Sequence, residues 1–218
     1  MIRLAPAGLS GSLSEAEAQS LRDEFETRHC IRLPGLLAPR SVEMVRECLD
    51  DIPFTHRVHD TIGTEFCLPD SRAVRLLFFL VNDPALFAVI RRITGCSPIG
   101  CFTGRVYRMV PGAGDYDTWH SDVIQNRMIG MSVNLGPPYE GGVFQLREAA
   151  SKRQLCELPN VRPGDAILFR IDPTLEHWIT PMAGHTPKTA FAGWFRSEPE
   201  FMNLMDRGGL PPEREPDW

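Results

Sequence analysis

The chain has 218 residues, with 43% hydrophobic and 23% charged positions, a formal net charge of −5 and a pI near 5.7. That is the composition of an ordinary globule, long enough to bury a core in a single domain, and its acidic balance argues against a nucleic-acid-binding surface. No apolar run approaches the ~18 residues of a membrane span, and no apolar signal core precedes the polar stretch at residues 10–28.

Residues 14–28 predict a helix, with Ser12 or Ser14 to cap it, Glu15 and Glu17 in its first turn, and Ala18, Leu21 and Phe25 at helical spacing. A short β-like piece at 31–37 leads to a second helix over 39–52, whose buried stripe is Val42, Val45 and Leu49. Residues 53–82 carry no clear period. His56 and His59 beside Asp60 lack an evident partner there, and we read 53–72 as a surface loop or hairpin beside the site. Residues 73–81 look buried. Residues 83–95 form a third helix, with Asp83 as cap, Pro84 at the first position, Arg91 and Arg92 near the end and Gly95 after it.

From Ile99 the texture changes to short apolar runs separated by Gly and Pro, which is the signature of strands. We place them at 102–110, 119–123, 128–135, 142–147, 166–171, 177–181 and 188–195, with turn-rich or motif-free loops at 111–117 and 148–160. About eight strands suit a jelly roll. The expected fold is an all-β core with N-terminal helices, a double-stranded β-helix (jelly roll, cupin-like) in one domain, 1–218. Residues 1–98 give helical support, 99–197 the core, and 198–218 an irregular tail from which Phe201, Leu204, Met205 and Trp218 could dock. The six cysteines are scattered, with no Cys-x2-Cys pair to suggest zinc. They read as free thiols in a reducing, cytoplasmic setting.

The chemistry gathers at His120-Ser121-Asp122. On a strand His120 and Asp122 share a face while Trp119 and Ser121 point away, so the pair can hold one metal ion. Six histidines among 28 acidic residues would give roughly 0.8 such His-x-acid pairs by chance, so a third ligand is required. His177, on a distant strand, completes a two-His-one-carboxylate triad of the kind that leaves positions open on non-haem Fe(II). His185 lies in a Gly-Pro-rich turn and reads as exposed; Asp165 sits in the turn Pro163-Gly164-Asp165-Ala166 and reads as structural.

Around the triad stand Asn134-Leu-Gly-Pro-Pro-Tyr-Glu-Gly-Gly142, Pro163-Gly-Asp-Ala-Ile-Leu-Phe169, and Lys188 ahead of Gly193-Trp-Phe-Arg196. In this order, over about residues 100–197, the chain resembles the Fe(II)/2-oxoglutarate-dependent dioxygenase superfamily, and its ending is similar to the prolyl-4-hydroxylase-like branch. The resemblance implies an oxidoreductase using Fe(II), 2-oxoglutarate and O2. It would hydroxylate a C–H bond of a peptidyl side chain or a small molecule and release succinate and CO2. It also implies His120, Asp122 and His177 as metal ligands and Lys188 as the cation for the distal carboxylate of 2-oxoglutarate. Asn134, Tyr107 and Trp194 are further candidates to contact the cosubstrate or wall the pocket. Halogenating relatives replace the acid with a small residue; Asp122 keeps it, which points to hydroxylation.

The basic residue stands eleven positions after the second histidine where ten is usual. We place Lys188 on the inner face by a hairpin around 182–185, which sets His177 opposite Ala190 and Ile179 opposite Lys188 and leaves Arg196 too distant. Arg105, Arg127 and Arg147 are candidates to meet an acidic substrate group, with a solvated face as the plainer alternative. The competing function is a cupin-like metal-binding or inactive module. Expected partners are a small molecule or a peptide, without nucleic acid or membrane.

Overall fold

The computed structural model describes residues 1–49, 52–59, 62–124 and 126–198. An N-terminal ribbon, β1 (Arg3–Ala5) and β2 (Gly8–Ser10), precedes α1 (Glu15–Arg28), β3 (Cys30–Leu33) and α2 (Pro39–Glu47). A hairpin, β4 (Thr55–His59) and β5 (Gly63–Cys67), is followed by α3 (Arg72–Val81) and α4 (Pro84–Thr94). The remaining strands are β6 (Cys101–Met109), β7 (Tyr116–Asp117), β8 (Arg127–Asn134), β9 (Glu140–Gly141), β10 (Phe144–Glu148), β11 (Gln154–Leu158), β12 (Ala166–Arg170), β13 (Leu175–Ile179), β14 (Met182–Ala183) and β15 (Lys188–Arg196).

The helix ends follow their local chemistry. Ser14 and Glu17 form a capping box on α1, Asp83 accepts from the Ala85 and Leu86 amides to start α4, and Gly95 closes α4 in the left-handed conformation at φ 67°. Helix α2 stops at Glu47, short of the expected 52. The Cys48 and Leu49 amides bond three residues back, to Val45 and Arg46, which tightens the last turn while Leu49 still reaches the core. The 73–81 stretch is a further helix, so four rather than three pack beside the sheet; its buried residues Ala73, Val74, Leu77, Leu80 and Val81 follow helical spacing, with Arg72 and Arg75 exposed.

Two sheets make the core. The larger runs β3-β12-β8-β15-β6-β5-β4, and the smaller β11-β10-β13. Alternation sorts each strand of the larger sheet. On β15, Phe191 and Phe195 turn to the helices, where they meet Phe78, Phe87 and Phe102 at ring distances of 4.9 to 5.9 Å. Even-numbered Lys188, Ala190, Ala192 and Trp194 turn to the smaller sheet. Ile167 and Phe169 of β12 cluster there with Phe144, Leu146 and Leu175. Gly130 makes room for this layer, since a Cβ on it would lie 2.0 Å from the Phe169 ring. This is the expected jelly roll, a curled antiparallel half-barrel with helices against one face.

Four expectations change. Residues 154–158, read as loop, form edge strand β11. The segment 118–124 is not a continuous strand; it joins the sheets at one isolated bridge, His120 to His177. The 177–195 hairpin does not form either. β13 pairs with β10 in the smaller sheet, while β15 pairs with β6 and β8 in the larger, with Ala190 opposite Tyr107 and Asn134. Successive jelly-roll strands cross between sheets, so a turn at 182–185 does not set a shared register. Finally, Cys30 and Cys156 are joined in a disulfide that links the two sheets, while Cys48, Cys67, Cys96 and Cys101 are free. Partners 126 apart in sequence leave no spacing signal, and the all-thiol premise of a reducing compartment does not hold for this pair. Among the described residues no single helix is long and apolar enough to cross a membrane. The tail anchors proposed at 201–218 lie outside the described residues.

Candidate metal centre

The bridge between residues 120 and 177 builds the site. His120 and His177 exchange both backbone hydrogen bonds, at 3.0 and 2.9 Å, which sets their imidazoles side by side with ring centroids 4.4 Å apart. On the reverse face the neighbouring Trp119 and Trp178 stack at 5.3 Å, and the Arg147 guanidinium lies 3.8 Å from the Trp119 ring. Asp122 closes the group, and ligand atoms of His120, Asp122 and His177 all lie within 4.8 Å of one another.

Hydrogen bonds aim these groups. His120 Nδ1 is 2.7 Å from the Thr118 carbonyl. A carbonyl only accepts, so Nδ1 carries the proton and Nε2 is left as the ligating nitrogen. Asp117 stands behind it at 3.4 Å, its other oxygen taking the Ile179 amide at 2.7 Å; burial pushes this carboxyl up to about 6. Burial, with the His120 neighbour, pushes His177 down to about 3, so it is a neutral imidazole at ordinary pH, as a metal ligand must be. For Asp122 burial acts upward, but His177, His120, the Trp194 indole and Arg127 outweigh it and hold the carboxyl below its usual value. Phe144 and Phe169 wall His177 at 5.7 and 4.6 Å.

A cavity of about 120 Å³ opens on the triad. Tyr107, Met109, Ser132 and Ala192 form its inner wall; His59, Glu65, Arg105 and Tyr116 stand toward the β4–β5 hairpin. Lys188 is not among the lining residues; it lies behind the Tyr107 and Met109 wall, opposite Met109 across the β15–β6 pairing and only 2% exposed. Its ammonium donates to the Gly142 carbonyl at 3.0 Å and lies 5.9 and 5.7 Å from the Tyr107 and Tyr139 rings. Gly142 permits this: its φ is +55° and a Cβ would meet Met182 Sδ at 2.7 Å and Lys188 Cδ at 3.2 Å. Among the described residues no carboxylate forms a salt bridge with Lys188, and burial pushes the amine down to about 8. A desolvated cation without an anionic partner fits an anionic ligand.

The sequence-derived candidates divide accordingly. His120, Asp122 and His177 come together; Lys188 lies on the inner face as expected, through the alternation of β15 and not through a hairpin. Tyr107 lines the cavity, its hydroxyl kept protonated by burial. Trp194 lines it too, but donates its indole N–H to Asp122 Oδ2 at 2.6 Å. Asn134 is buried at the cavity's back and spends its carboxamide on the Gly136 backbone, at 3.1 and 3.3 Å. His185 is exposed, and Asp165 is structural, accepting the Gly35 amide at 2.8 Å. Arg147 pairs with Glu176 on the outer face, whereas Arg105, bonded to Glu65 at 2.6 Å, and Arg127 face the site. Asp117, Ser132 and Phe169 escaped the sequence reading. Asp117 had a signal in its place three residues before His120; Ser132 and Phe169 become visible only through pairing register.

Residues 104–196, from β6 to β15, match the 2OG-Fe(II) oxygenase superfamily. No curated protein matches the chain in sequence. Among solved structures, a Pseudomonas putida prolyl-4-hydroxylase is similar at 16% identity and a TM-score of 0.61, covering 82% of this chain and 98% of that one. A Trichoplax adhaerens prolyl hydroxylase, in complex with a hypoxia inducible factor oxygen degradation domain peptide, is similar at 15% and 0.64, with coverage of 88% and 93%. The non-heme α-ketoglutarate-dependent epimerase SnoN from nogalamycin biosynthesis gives 16% and 0.63, covering 92% and 94%. The likeness in structure is one of fold, and the matched segment is the part of the chain that carries the resemblance read from the sequence.

Proposed function

We propose that this chain is a 2-oxoglutarate-dependent Fe(II) dioxygenase that hydroxylates an unactivated C–H bond of a peptidyl side chain or a small-molecule metabolite, releasing succinate and CO2. His120, Asp122 and His177 hold the iron. The observation that carries the reading is the convergence of two neutral-capable imidazoles and one carboxylate within 4.8 Å, on the inner face that also bears the buried Lys188. When bound, Fe(II) and 2-oxoglutarate together activate O2 for attack on the substrate. The chain's own contribution is placement. The Thr118 carbonyl orients His120, the sheet bridge fixes its distance to His177, and Asp122 supplies negative charge that favours a divalent ion. Lys188 receives the distal carboxylate, with the Tyr107 hydroxyl alongside, and Ala190 and Ala192 keep the floor between Lys188 and the triad low. Phe144, Phe169 and Ile179 limit water at the triad.

Chain refolded or purified free of metal should bind one Fe(II) anaerobically and form succinate only with both O2 and 2-oxoglutarate present. A screen of succinate yield over amino acids, peptides and small acids then identifies the substrate. Metal binding without oxygen-dependent succinate formation would end the proposal. Asp122 fills the position a halide would need, so chloride buffer should yield alcohol and no chlorinated product.

A further inference from the structure

We infer that Trp194 is a positioning residue for the Asp122 carboxylate, holding Oδ2 so that Oδ1 alone is presented to the metal, and that Arg127 positions the indole that does so. The inference rests on the proposal above that Asp122 is an iron ligand. A carboxylate can bind a metal through one oxygen or through both, and the two imidazoles do not choose between these modes. His177 Nε2 lies 3.5 Å from Asp122 Oδ2, and His120 Nε2 lies 3.9 Å from Oδ1. Both oxygens therefore border the same space. The asymmetry comes from the indole, whose Nε1 donates to Oδ2 at 2.6 Å, a short charge-assisted bond to a side chain almost fully out of solvent.

The indole suits this task. It is a donor only, so it does not compete for the metal and does not ionise at ordinary pH. Its position is fixed twice. Residue 194 lies in the middle of the larger sheet, opposite Thr103 on one side and Gly130 on the other. The Arg127 guanidinium also lies 3.5 Å from the ring centroid, with Nη1 3.7 Å from Asp122 Oδ1. That second distance is beyond a hydrogen bond, so Arg127 acts on the carboxylate by charge and by clamping the ring plane. The consequence is coordinative. Held through one oxygen, Asp122 would leave room on the metal for a chelating keto acid and O2, room that engagement of both oxygens would reduce.

The test uses Mn(II) on the full chain. Its dissociation constant is measured by titration, and the number of metal-bound waters by water-proton relaxation, in wild type, Trp194→Phe and Arg127→Lys. Trp194→Phe keeps the ring and removes the donor. We expect a loss of metal affinity of about 10- to 100-fold, the range seen when an outer partner of a ligand is removed, and a lower relaxation enhancement as the freed oxygen displaces a water. Arg127→Lys keeps the charge but not the plane and should move both readouts the same way by a smaller factor. A merely structural tryptophan would lower the melting temperature without changing the number of bound waters. Wild-type affinity and relaxation in a folded Trp194→Phe protein overturn the inference; if that variant does not fold, unchanged values in Arg127→Lys overturn it instead. Failure of the wild-type chain to bind Mn(II) would be a different result, removing the triad assignment on which the inference stands.

Discussion

At its metal end the cavity takes two of three candidate ligands from an irregular segment tied to the sheets by one bridge. Behind the cavity's Tyr107 and Met109 wall, Lys188 opens β15, a strand bonded on both sides, to β6 and β8. The metal end is thus anchored chiefly through side chains, by the Trp194–Asp122 bond and the Trp119–Trp178 stack beside the single bridge, while the lysine end sits on a doubly paired strand and holds a charge that burial disfavours. One end gains stability from its ligand; the other gives up stability to be ready for one.

The largest expected effect tests the metal end directly. Asp122→Ala or His177→Ala should lose stoichiometric Fe(II) in anaerobic titration and all succinate formation, whereas His185→Ala should match wild type in both. Equal iron loss in the His185 variant would erase the distinction drawn here. Next comes the lysine end. Lys188→Met should weaken 2-oxoglutarate at least about 30-fold, from the 2–5 kcal/mol typical of a buried charge contact, with iron content intact. It should also raise the thermal midpoint of the ligand-free protein, because an uncompensated buried cation is removed. Arg196→Ala, beyond Trp194 at the strand's far end, should leave the cosubstrate affinity unchanged.

Acidity separates the two ends further. With Lys188 depressed to about 8, the free site keeps its positive charge below that pH and loses it above. The affinity for 2-oxoglutarate should be flat below pH 8 and then decline by up to about tenfold per unit, with no decline in Lys188→Arg, whose charge persists. The sign for folding is opposite. A lysine depressed on folding costs stability at neutral pH, and that cost fades as pH rises from about 8 toward its ordinary value. The smallest effect concerns the outer stack: Trp119→Ala should weaken Fe(II) by only a few-fold, in line with the roughly 0.5–1.5 kcal/mol of an aromatic pair.

What the sequence shows follows the same division. His120 and Asp122 are two residues apart, so their convergence needs only local backbone geometry, and it survives although the segment is not a regular strand. The caps of α1 and α4 were legible for the same reason, since each is specified within four residues. Lys188 reaches the inner face by alternation along its own strand and not by the hairpin register the sequence suggested, and its neighbours were not legible. Which strands flank β15 depends on how the chain crosses between sheets, and no residue near the 182–185 turn encodes that. The Cys30–Cys156 bond and the Phe169 wall of His177 belong to the same class: each joins residues far apart in the chain, and only the packed sheets reveal them. Helix α3 differs: its buried residues Ala73, Val74, Leu77, Leu80 and Val81 stand at helical spacing, so its period is local and legible even in so apolar a run.

The reciprocal backbone bonds between His120 and His177 have a consequence for hydrogen exchange. The two amides that join this segment to the sheet belong to the two residues whose imidazoles would face a bound ion. Opening the bridge and releasing the metal are therefore one event seen from two sides. Amide protons of 120 and 177 should exchange rapidly without metal, by local opening, and slow in proportion to metal occupancy, while those in the middle of β15 exchange slowly throughout. Mass shifts of two short peptides would then read out metal loading in a protein whose substrate is still being sought.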